Sequence, residues 1–198
     1  IGIVTVIGND HWSAFKSRDA IAQEVRKLIE SLPATGTAVL NADDPLVLSM
    51  AERARARVLL YGTSPGAELR AENVRAAWPD RLRMTLVHGE KRIPLDTQLC
   101  GPHWLPAVLG AIGGGLAMGV PLAECAAGIA AVAPFDGRMQ PVTTPSGVTF
   151  IRDDYKAPLW TVDPCLALMK AARARRKFIV IGTLSDCGGR ATDRYTSV

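Results

Sequence analysis

Thr37-Ala-Val-Leu-Asn-Ala-Asp-Asp-Pro45 is the stretch that decides the fold. Thr37 to Asn41 reads as a short buried strand. Asp44-Pro45 starts a helix, with the aspartate as N-cap and the proline in the first turn, where its missing N–H is no loss. Upstream, Ile1–Ile7 is a strand-like run that turns at Gly8-Asn9-Asp10. A helix follows from an N-cap at Ser17, with Asp19 in its first turn and an apolar stripe at Ile21, Val25, Leu28, Ile29 and Leu32. Pro33 to Gly36 breaks that helix. Downstream, Val58–Tyr61 is a third strand, ended by Gly62 and Pro65-Gly66. Strand, helix, strand, helix, strand with short connections predicts a mostly parallel sheet with crossover helices, an α/β fold.

From Glu68 to Leu95 the texture changes. Alternating segments at Ala71–Ala77, Arg81–His88 and Arg92–Leu95, parted by Pro79-Asp80 and Gly89-Glu90, predict a small antiparallel meander. Helices are expected at Trp104–Met118 and Leu122–Ala131. Gly113-Gly114-Gly115 weakens the first unless it serves close backbone packing. Pro134-Phe-Asp-Gly137 reads as a linker, which divides the chain into 1–136 and 137–198. Beyond it come a strand at Val148–Ile151, a helix capped by Asp163-Pro164, a strand at Phe178–Ile181 and a turn from Gly182 to Gly189. This is the start of a second α/β unit.

The 198 residues are 48% hydrophobic and 21% charged, which excludes wholesale disorder and coiled coil. The longest uncharged apolar run, Leu105 to Val120, holds five glycines and a proline, so it reads as a buried helix and not a membrane span. No export signal opens the chain, and its four cysteines are scattered, which fits a reducing cytoplasm. The net charge of +4 invites a nucleic-acid reading. Its one basic cluster, Arg173, Arg175, Arg176 and Lys177, has no interleaved aromatics and reads as a solvated helix C-terminus.

Four places can carry chemistry. Asn9-Asp10-His11 follows a strand, where α/β folds place ligand groups, and His11 suits a metal or a proton, though a turn histidine is more often polar surface. The acids of Asn41-Ala-Asp-Asp-Pro45 suit a ribose or Mg²⁺, but capping already accounts for Asp44. Arg138, in the linker, can swing onto a phosphate with bidentate contact. Asp153-Asp154-Tyr155-Lys156 ends a strand with two carboxylates and an ammonium, suited to Mg-nucleotide handling or equally to a surface ion-pair cluster. No GxxxxGK[ST], HExxH or GxSxG is present.

In series, Ile7-Gly-Asn-Asp-His11, Phe15-Lys-Ser17, Asn41-Ala-Asp-Asp-Pro45, Gly101-Pro-His103, Gly137-Arg-Met139 and Ile151-Arg-Asp-Asp-Tyr-Lys156 resemble the Mur ligases. These are ATP-dependent amide ligases of peptidoglycan synthesis, and the closest branch looks like the one adding D-alanyl-D-alanine, or an uncharacterised relative. The resemblance implies the latter part of a central ATPase domain over 1–136, its P-loop upstream, and the start of a Rossmann-like C-terminal domain over 137–198. It implies ATP and Mg²⁺, small-molecule carboxylate and amine substrates, and an acyl-phosphate route, with no nucleic-acid or membrane partner. Pairing with another copy stays open. His11 matches a histidine that helps hold Mg²⁺, Arg138 a hinge arginine on ATP, Asp154 an acid near the nucleotide and Lys156 a lysine near the phosphoryl group.

Three positions depart from the family. Val25 stands where several members carry a carbamylated lysine, and Lys27 lies roughly 200° away round the helix. Ala107 stands where an asparagine touches the base. Pro158-Leu-Trp160 replaces an asparagine-containing turn. A degenerate nucleotide- or partner-binding protein without ligase activity is therefore the alternative, and a folate polyglutamate ligase would share the fold.

Overall fold

The computed structural model describes residues 1–9, 12–156 and 158–184. Thr37–Asn41 is a strand, and its side chains alternate between two cores. Ala38 and Leu40 pack with Ile21, Ile29, Val47 and Met50, while Val39 packs with Leu59, Leu109 and Ile112. A sheet covered on both faces has no solvated side, so its strands read as unbroken apolar runs.

The order is β1 (Gly2–Val4), α1 (Trp12–Phe15), α2 (Arg18–Glu30), β2 (Thr37–Asn41), α3 (Pro45–Leu48), β3 (Arg57–Gly62), β4 (Leu69–Arg75), β5 (Arg83–His88) and β6 (Lys91–Asp96). These strands form one sheet in sequence order, parallel from β1 to β4 and antiparallel from β4 to β6. The meander is thus the continuation of the main sheet. Tyr61 and Gly62 pair with Leu69 and Arg70, and the Asp43 carboxylate accepts the N–H and hydroxyl of both Thr63 and Ser64 to hold the intervening turn.

Local chemistry fixes the element ends. Ser17 caps α2 by accepting Ala20 N–H at 3.1 Å, and Asp44 caps α3 by accepting Leu46 N–H at 2.9 Å. The first strand is shorter than the sequence suggests, stopping at Val4 and not Ile7. Past that point side chains replace the ladder: Asn41 Nδ2 donates to Thr5 O at 2.8 Å, and Ile7 N–H donates to Asp44 Oδ2 at 2.9 Å. Leu28 is 46% exposed and leaves the predicted stripe, lying over Gly2 of the edge strand.

The other face is covered by α4 (Leu105–Ala117) and α5 (Leu122–Ala130). The Gly113–Gly115 run of α4 does serve close packing. A methyl on Gly113 would sit 2.6 Å from Val39 Cγ1, and one on Gly114 would sit 2.8 Å from Ile3 Cδ1. Val39 is fully buried and β-branched, so it cannot give way, whereas Ile3 is 40% exposed and offers only a chain end. Gly113→Ala is therefore expected to destabilise the protein by about 1–2 kcal/mol, overpacking outweighing the helix gain of about 1 kcal/mol. Gly114→Ala is expected to be neutral or stabilising by up to ~1 kcal/mol. Urea unfolding of the two variants checks the contrast, and equal effects would contradict it.

Beyond residue 137 come a hairpin, β7 (Gln140–Thr143) and β8 (Thr149–Arg152), and α6 (Leu159–Ala171). Met139 and Leu168 bury against Cys100, which seats this part on the first sheet. Arg173 adds a tie, its N–H donating to Trp78 O at 2.8 Å and its guanidinium to Asp80 at 2.8 Å. Lys177 donates to the carbonyls of Met169 and Lys170, so this member of the basic cluster complements a helix C-terminus.

Two expectations are corrected here. The last helix starts at Leu159, with Pro164 inside it, because Thr161 N–H and its hydroxyl both bond Pro158 O and set the first turn ahead of Asp163. Phe178–Ile181 is not a strand. All four residues are exposed, and among the described residues no strand pairs with them. Among the described residues no helix is long and apolar enough to cross a membrane.

Candidate functional site

The turn after α5 and the end of β8 meet at Gly137. Its φ is +62°, which favours glycine, and its carbonyl accepts Tyr155 N–H at 3.1 Å. A methyl there would lie 2.8 Å from Asp154 Oδ1, so Gly137 lets the two segments close. Asp153 locks the junction, accepting Met139 N–H at 3.1 Å and the Cys165 thiol at 3.0 Å. Burial pushes the Cys165 thiol up to about 12, and the Asp153 carboxylate adds to the shift, so it stays protonated as a donor.

This lock presents Arg138, whose guanidinium carbon lies 4.4 Å from the centre of the Tyr155 ring. A stacked guanidinium is held flat with its N–H edge free to reach an anion. In the same hollow, Trp104 and Phe135 stack at 5.4 Å and 21°, with the His103 ring 5.6 Å from Trp104. His103, Trp104, Phe135, Arg138 and Tyr155 line a hollow of about 730 Å³. Lys156 and Asp154 line a neighbouring hollow of about 620 Å³, which shares Asp153 and Tyr155 with the first.

Arg138, Asp154 and Lys156 are thus brought to one junction. His11 lies outside the described residues, as does most of the Gly182–Gly189 turn. Asp154 is held by Arg152, at 3.1 Å from its Nη2, and Arg152 also reaches Asp136 at 3.1 Å. Among the described residues no group of three or more His, Cys, Asp or Glu could hold a metal ion. Val25 packs against the apolar core, as its place in the stripe predicts.

The role of His103, Trp104, Phe135 and Tyr155 escapes a motif reading. The clues are an aromatic inside a Pro134–Asp136 linker and a His-Trp pair directly after Gly-Pro. His103 Nδ1 is buried with no hydrogen-bond partner. Burial holds the imidazole below its ordinary 6.5, with Asp153 pulling weakly the other way. The unfolded chain therefore binds the proton first as pH falls below about 6.5, so stability contributed by neutral His103 is lost with acidification. The native protein is expected to lose more of its Tm between pH 7.5 and pH 5 than His103→Gln does. Parallel losses would contradict this.

A model of the Mur ligase middle domain matches residues 1–114. The UDP-N-acetylmuramoyl-tripeptide–D-alanyl-D-alanine ligase of Mycobacterium bovis is 31% identical over 204 residues, covering 100% of this chain and 40% of that protein. The UDP-N-acetylmuramate–L-alanine ligase of Stenotrophomonas maltophilia is 32% identical over 191 residues, covering 91% and 39%. Among solved structures, MurF from Acinetobacter baumannii superposes with a TM-score of 0.76 at 19% identity, over 84% of this chain and 36% of that one. Escherichia coli FolC, solved with DHPP and ADP, gives 0.63 at 19% identity, over 88% and 39%. At such identity these structures speak for the fold alone. The chain spans about 40% of the length of the D-alanyl-D-alanine ligase that it matches. With the middle-domain match running over more than half of its residues, and a 31%-identical relative aligned along all of it, this chain belongs to the Mur ligase family.

Proposed function

We propose that this chain supplies the nucleotide-side junction of an ATP-dependent carboxylate–amine ligase in peptidoglycan precursor synthesis, with D-alanyl-D-alanine as the incoming amine. The observation that carries the reading is the hollow lined both by a flat aromatic pair and by an arginine stacked on Tyr155. That donor set suits a nucleotide: π faces for a base and a planar cation for phosphate. In this reading the hinge lies at Gly137 and divides 1–136 from 137–198.

ATP supplies the phosphoryl group that activates the substrate carboxylate as an acyl phosphate. Arg138 binds and orients the polyphosphate, and Lys156 neutralises charge on the phosphoryl group and then on the oxyanion. Asp154, steadied by Arg152, lies beside the nucleotide. The described residues do not by themselves fit Mg²⁺, because Asp153 and Asp154 are engaged within the junction. His11 as its ligand rests on the resemblance, and no step is drawn through the ion.

A second reading is nucleotide binding without ligation, and Val25 in the apolar core favours it. The test is phosphate release and amide formation by the protein with ATP, UDP-muramoyl-tripeptide and a panel of amines. Product that needs D-alanyl-D-alanine supports the first reading. ATP binding with no product from any amine supports the second, and product with glutamate alone, on a folate acceptor, supports a polyglutamate ligase.

A further inference from the structure

The groups around the nucleotide hollow differ in what they leave free. Phe135 is backed by Trp104 on one face and is 51% exposed, so its other face is open to a flat ligand. The polar side chains beside it are mostly engaged. Asp136 is paired with Arg152 at 3.1 Å, Asp153 has both oxygens occupied, and the Thr161 hydroxyl donates to Pro158 O at 2.9 Å. Among the described residues the one buried polar atom on this wall without a partner is His103 Nδ1, and its burial against Gly101 keeps it from a base edge.

Resting on the nucleotide reading of this hollow, we infer that the pocket takes the base by its faces and not by its edge, so that the protein binds GTP nearly as well as ATP. Stacking is tolerant of base identity because every base has a π face. Strong rejection of a near-isostere needs fixed donors and acceptors that the wrong base leaves unpaired. Phe135, steadied by Trp104, is then the residue that sets base affinity. Arg138 acts on the phosphates whatever the base.

The experiment is calorimetric titration of the protein with ATP, GTP and inorganic tripolyphosphate, repeated on Phe135→Ala and Phe135→Leu. The expected result is GTP affinity within about five-fold of ATP. Phe135→Ala should weaken both nucleotides equally, by roughly five- to 150-fold, the range that base–aromatic stacking spans. Tripolyphosphate binding should be unchanged. Phe135→Leu keeps apolar bulk without the ring and should weaken both nucleotides as well, which separates stacking from simple burial. Discrimination against GTP by 100-fold or more, with ATP bound, overturns the inference and leaves the nucleotide reading intact. Failure to bind either nucleotide overturns both.

Discussion

Arg138→Ala is expected to weaken ATP binding by roughly ten- to 150-fold while leaving the fold intact. Among the described residues the Arg138 guanidinium makes no ion pair, and it stacks on the Tyr155 ring. Its removal orphans no carboxylate, so the Tm should move by no more than about 2 °C. The loss falls on the ligand, where a charge-assisted hydrogen bond contributes about 1.5–3 kcal/mol. Arg138→Lys keeps the charge but not the flat stacked fork, and should recover only part of the affinity. Tyr155→Ala removes the surface that steadies the guanidinium, and should cost a smaller factor of about two- to five-fold. Titration calorimetry on the three variants checks the order. Arg138→Ala binding ATP as tightly as the native protein would contradict the assignment.

Asp44→Ala is expected to give the largest loss of stability, about 2–4 kcal/mol. The nearly buried carboxylate serves two elements at once. One oxygen caps α3 through Leu46 and Val47 N–H, and the other accepts Ile7 N–H. Losing an N-cap costs about 0.5–2 kcal/mol, and leaving the buried Ile7 donor unpaired costs about 1–3 kcal/mol more. For a chain of this size that lowers the Tm by roughly 5–15 °C. Asp44→Asn keeps the cap but turns an amide donor toward Ile7 N–H, so it should fall between the two. Thermal melts decide, and a shift under about 2 °C for Asp44→Ala would contradict the double role.

The parallel half of the fold is legible in sequence because its evidence is local. Ser17, Asp44 and Pro45 announce helix starts by side-chain chemistry within a turn, and Thr37–Asn41 is apolar on both faces because both faces are covered. The glycines of α4 read as a weakness until Val39 is seen against Gly113. Phe178–Ile181 has strand composition, yet a ladder needs a neighbour, and a local pattern carries no information about one. Gln140–Thr143 escapes for the opposite reason, its Pro141 and exposed residues hiding a strand that Thr149–Arg152 pairs. The junction is partly legible: Arg138, Asp154 and Lys156 stand out as charged residues at a linker and a strand end. The aromatic wall is not, since His103, Phe135 and Tyr155 come from three separate segments that only the fold brings together.

On the proposed function a nucleotide base lies on that wall. Photolabelling of the protein with 8-azido-ATP, followed by mapping of the modified peptides, tests it most directly. ATP-protected label is expected on peptides carrying Trp104, Phe135 or Tyr155. ATP-protected label confined to other segments, or none that ATP can displace, would contradict it.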